Sequence, residues 1–126
     1  CERTVLGSHA MGEKITSEQL LDQREVSRNG APLWIDQLEL NQASLRAVDN
    51  PAVLDSAGAF ATLFATGSAF PSRVLPFFDE VEVAHSSWAG KTVIRLLSRN
   101  AYRLRQALSG ILELYIPGGL PRVWQC

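Results

Sequence analysis

From Thr92 to Ile116 the chain runs for 25 residues without a proline, and its apolar residues recur at helical spacing. Val93, Leu97, Leu104, Leu108, Ile111 and Tyr115 fall on one face at about 100° per residue, widened by Ala101 and Leu112. Arg95, Arg99, Arg103, Gln106 and Glu113 fall on the opposite face. This spacing predicts one amphipathic helix roughly 37 Å long, at about 1.5 Å per residue, enough to cross a small domain. Pro117-Gly118-Gly119 stops it, because neither residue type continues a helix well. The other elements are expected to pack on its apolar stripe.

Upstream, helical spacing recurs between breakers. Thr16 or Ser17 caps a helix running to about Arg28, which Asn29-Gly30 ends. Leu33 to Val48 places Trp34, Leu38, Leu45 and Val48 on one stripe, with a strand over Leu33–Leu40 as the alternative. Asn50 and Pro51 read as cap and first residue of a third helix, which continues to about Thr66 and ends at Gly67. Its interleaved Ala, Gly, Leu and Phe residues suit a buried position. Phe70–Ala89 is irregular, but Asp79–Ala84 alternates polar and apolar residues as a short strand does. The expected fold class is therefore mainly α. It is a compact domain of about four helices with one long C-terminal amphipathic helix and at most a short β element, with α+β as the alternative.

The 126 residues suit one domain, and at 46% hydrophobic content the chain buries a core without disulfide or metal support. No apolar run reaches about 18 residues, so no membrane span is expected. Gly7-Ser8-His9-Ala10-Met11 resembles the scar of tag-and-protease cloning, so residues 1–12 read as a tag remnant and 13–126 as a single helical domain. Cys126 is then a lone terminal cysteine. It supports no disulfide framework and points to a reducing, cytoplasmic setting.

A net charge of −1 conceals an asymmetry. Met11–Gly90 carries 5 basic residues against 11 acidic ones, whereas Lys91–Cys126 carries 6 against 1. Acidic elements packed beside a basic helix account for this, as does an arginine face that meets an anionic partner. The domain lacks the basic excess of nucleic-acid binders, so nucleic acid is the weakest partner class.

Chemistry-bearing motifs are sparse. Gly90-Lys91-Thr92 follows an alternating run and opens the long stretch, as a phosphate loop would. The first glycine of that pattern is replaced by His85, and bulky Trp88 intrudes, leaving at most a bare anion site at Gly90, Lys91 and Thr92. His85, Ser86 and Ser87 are sequence neighbours whose side chains alternate on a strand, so they form no triad. Asp79, Glu80 and Glu82 read as a charged edge, and no metal-ligand spacing or cofactor motif is present. The arginine stripe stands out. Arg95, Arg99 and Arg103, with Tyr102 and Trp124, are the expected partner contacts.

Together these features predict a protein-protein interaction module without catalytic activity: a helical adaptor, chaperone or assembly subunit that binds another protein or itself. A small ligand- or nucleotide-binding enzyme domain using the 85–92 loop is the first alternative. Nucleic-acid binding through the arginines is the second.

Overall fold

Two short turns decide the architecture. Asn29-Gly30 and Ala89-Gly90 both hold positive φ at both positions, 53° and 76° in the first, 44° and 70° in the second. That is the geometry of the two-residue turn whose twist matches paired antiparallel strands. Each turn closes a β-hairpin in this computed structural model, which describes residues 2–5, 19–47, 49–67 and 78–118.

The first hairpin joins β2 (Leu20–Arg28) to β3 (Ala31–Leu40), following a short β1 (Glu2–Val5). Helix α1 (Gln42–Arg46), capped by Asn41, leads through turns to β4 (Ala59–Thr66). The second hairpin joins β5 (Val81–Trp88) to β6 (Lys91–Ser98), and α2 (Ala101–Tyr115) follows. The strands form two antiparallel sheets, one of four strands in the order β1-β4-β6-β5 and one of two, β2-β3.

The mainly helical expectation is thus overturned: the described residues are mostly strand, with two helices. The supposed helix ending at Arg28 is β2, and Asn29-Gly30 turns a hairpin instead of ending a helix. Leu33–Leu40 takes the strand alternative within β3, and Pro51–Thr66 divides into turns and β4. The long stretch breaks at Arg99-Asn100 into β6 and α2. Its first half misled because β6 is a central strand covered on both faces, with only Arg95 of its residues exposed. Such a strand reads as a continuous apolar run rather than an alternation, and Thr92, Val93 and Ile94 are β-branched. The second half keeps the predicted stripe: Leu104, Leu108 and Ile111 are fully buried.

The layers follow from this alternation. Ile94 and Leu96 of β6, with Ala59, Ala61 and Leu63 of β4, pack beneath α2 in one core. On the other face Phe60, backed by Leu97, packs with Leu40, Leu45, Leu54 and Ala57. Trp34 of β3 stacks on Phe64 of β4 with ring centres 5.0 Å apart. The sheet therefore lies between a helix and a hairpin, each of which buries one of its faces.

Replacing Leu104 with Ala, a fully buried position, costs about 2–5 kcal/mol in denaturant unfolding. Gly110→Ala moves stability the other way by about 0.5–1 kcal/mol. The added methyl would sit 3.5 Å from Phe78, an ordinary contact, in a helical backbone. Burial pushes the Tyr115 phenol from 10.0 up to about 12. Its neutral form is favoured in the fold, so this contribution is intact below pH 10 and is lost as pH rises towards 12. Between those values Tyr115→Phe will lose less stability with pH than the parent in paired thermal melts.

Candidate functional site

The arginines predicted to form one line come from three different elements. Arg95 projects from β6 towards the hairpin, where its Nη2 donates to Asp36 Oδ1 at 2.8 Å. Arg99 stands exposed in the connection between β6 and α2. Arg103 lies in the first turn of α2, 3.6 Å from Glu80. The stripe was an artefact of treating a strand and a helix as one element. The acidic partners do come from the N-terminal portion, so the charge asymmetry is answered in part within the fold.

Tyr102 is 64% exposed beside Arg103, and its hydroxyl accepts from Gln106 Nε2 at 3.0 Å. Trp124 lies outside the described residues. Arg99, Tyr102 and Arg103 therefore form the surviving surface cluster, at the start of α2. That start is held by Asn100, whose Oδ1 accepts from the backbone N–H groups of Tyr102 and Arg103 at 3.0 and 3.3 Å.

Beside the cluster, where β5 begins and β6 ends, lies a cleft of about 560 Å³. Its apolar wall includes Leu54, Phe78 and Leu97, and its polar rim includes Glu80, Glu82 and Arg99. A second cavity of about 190 Å³ separates the hairpin from the sheet, with Arg24, Asp36 and Arg95 among apolar walls. Asp22 pairs with Arg24 at this level. Of these charges the Arg95–Asp36 pair joins the sheet to the hairpin, while Arg24 and Asp22 pair within β2. None of them forms a reactive pair with a nucleophile.

Gly90 lies in the turn between β5 and β6, and Lys91 and Thr92 open β6. No helix follows Lys91, so no ring of free N–H groups gathers for a phosphate. Lys91 Nζ instead donates to the Leu33 carbonyl at 3.0 Å and sits 5.8 Å from the Trp88 ring centre. Thr92 is buried, and its hydroxyl lies 2.9 Å from Ser87 Oγ. His85 and Ser87 share one face of β5 and Ser86 takes the other, as alternation requires. Among the described residues no three of His, Cys, Asp or Glu gather to hold a metal ion, and no helix is long and apolar enough to cross a membrane.

Sequence reasoning missed the layer-bridging contacts of Lys91 and Arg95. The signal was an unrecognised Ala-Gly turn, which would have placed both residues on a strand facing the hairpin. Titration with magnesium and ATP will give no specific heat. Lys91→Ala will instead lower stability by about 1–2 kcal/mol, because it removes a charged donor that ties the hairpin to the sheet.

A family model described as the UreD urease accessory protein matches residues 1–125, including the segment 1–12 set aside above. Proteins named "Urease accessory protein UreD" are similar over 98% of this chain. The one from Cereibacter sphaeroides is 34% identical over 129 residues, with 47% of its own length covered. That from Paracoccus denitrificans is 35% identical over 129 residues, with 46% covered. That from Jannaschia sp. is 36% identical over 130 residues, with 48% covered. The chain spans about half the length of these curated relatives.

Proposed function

The chain belongs to the UreD urease accessory protein family, and from that premise we propose that it is a non-catalytic assembly factor for urease, working in the cytoplasm by binding proteins. The observation that carries this reading is the family match over residues 1–125. The geometry agrees with it: Lys91 and Arg95 are engaged in joining layers, while Tyr102 and Leu114 stand exposed on α2. Nickel is the cargo that urease assembly serves. Among the described residues no three potential ligands converge to hold it.

The docking surface in this reading is the solvent side of α2 and its approach. Arg99, Tyr102 and Arg103 mark one end, and Leu114 and Ile116, 49% and 54% exposed, mark the other. Aromatic and arginine side chains at such positions are the usual anchors of an interface, because they bury large areas and still satisfy polar tips. Partner binding there needs no change in the core beneath, where Leu104, Leu108 and Ile111 already meet the sheet.

Purified chain mixed with urease apoprotein subunits and the other accessory proteins will co-elute with them in size-exclusion chromatography. Tyr102→Ala combined with Arg103→Glu will weaken that association at least about tenfold, equivalent to about 1.4 kcal/mol, without altering the melting profile. Failure of the parent chain to associate with any of these proteins overturns the assembly reading. Retained affinity in the double variant relocates the surface away from α2.

A further inference from the structure

The edge strand β5 differs from the other long strands in what protects it. A free edge presents a row of unpaired N–H and C=O groups, and proteins ordinarily blunt it with proline, lysine or a bulge. In the two-stranded sheet, β3 carries Pro32, and the β2-β3 register shifts between Val26 and Ser27. On the far edge of the four-stranded sheet β1 is only 4 residues long. By contrast β5 pairs with β6 in unbroken register over its 8 residues, and VEVAHSSW contains neither proline nor lysine. Among the described residues no strand covers its outer side. Ala84 to Trp88 are all exposed, Trp88 by 43%.

The charges along this edge are arranged end to end. Asp79, Glu80 and Glu82 stand exposed where β5 begins. Trp88 and its cross-strand neighbour Lys91, whose ammonium lies 5.8 Å from the indole, stand where it ends. A strand with an acidic start and a cationic finish complements itself when reversed. We propose that β5 is a self-association edge, on which a second copy of this chain adds its own β5 antiparallel to form a continuous eight-stranded sheet about a two-fold axis. Ladder groups alternate in direction along a strand, so such an axis passes midway between a residue and its own mate. Placing it at His85 sets Glu82 of each copy opposite Trp88 of the other and points it towards Lys91. The inference is independent of the urease reading, because it uses a different edge of the fold from α2.

The register supplies the test. In a background of Cys1→Ser and Cys126→Ser, His85→Cys places two thiols at facing positions about 4.5–5.5 Å apart between Cα atoms, within reach of a disulfide. Mild oxidation will convert this variant to a covalent dimer. Ser27→Cys, exposed at the distant end of β2, will remain largely monomeric. Sedimentation equilibrium of the unmodified chain will show a reversible dimer in the micromolar range. Glu82→Lys will weaken it at least about tenfold, the more so at low salt. Amide exchange will slow in β5 as concentration rises, and this comparison needs no variant to fold. A monomer throughout that range overturns the proposal. So does a dimer whose β5 amides exchange at an unchanged rate, cross-linking that is equal at both cysteines, or β5 protection that appears only when a urease subunit is added.

Discussion

Burial of β6 on both faces is the constraint from which the rest of the structure follows. Ile94 and Leu96 are completely covered, and Val93 is nearly so on the opposite side. One strand cannot satisfy both demands by itself, so the fold must supply a separate cover for each. Helix α2 covers one face and the β2-β3 hairpin, with α1 and the turns before β4, covers the other. Buried strands also need complete ladders, which β4 and β5 provide over all 8 residues of β6.

The two covers are attached by different physics. Helix α2 is held by close-packed aliphatic side chains that mesh with small residues of β4, an attachment largely indifferent to salt and to moderate changes in pH. The hairpin is held by a smaller apolar cluster supplemented by polar ties: Arg95 to Asp36, Lys91 to the Leu33 carbonyl, and Arg28 to Thr66 at 3.0 Å. Arg95 retains 59% side-chain exposure in its ion pair, so screening and side-chain entropy limit what that pair contributes. The hairpin is thus the layer whose attachment responds to conditions.

What could be read from the residues depended on whether local and tertiary signals agreed. The α2 stripe was legible because Leu104, Leu108 and Ile111 follow helical period and are also the residues that the tertiary structure buries. Over Thr92–Leu97 the same period arose by coincidence, since a strand covered on both faces leaves its pattern to composition, and the β-branched Thr92, Val93 and Ile94 were the better guide. Asn29-Gly30 carried the strongest short-range information in the chain, and its reading as a helix terminus turned a hairpin into two helices. The expectation of a protein-binding module rested on the scarcity of chemistry-bearing motifs in the sequence. Of the residues expected to meet a partner, Tyr102 and Arg103 reach solvent together, whereas Arg95 is bonded to Asp36 within the fold. The family was not legible at all from period and composition, because membership is carried by residue identities spread along the chain.

The connection from β6 to α2 spans only Arg99 and Asn100, and this has a consequence for how the molecule is made. β5, its turn, β6 and α2 are consecutive in the chain, so the pairing of β5 with β6 and their docking onto α2 close short loops that cost little chain entropy. β4 must then be recruited across a longer separation, and the β2-β3 hairpin can find its inner face only after β4 and β6 stand side by side. Short loop closure thus makes β5, β6 and α2 one local unit of the fold, as the two-residue Asn29-Gly30 turn makes β2 and β3 another.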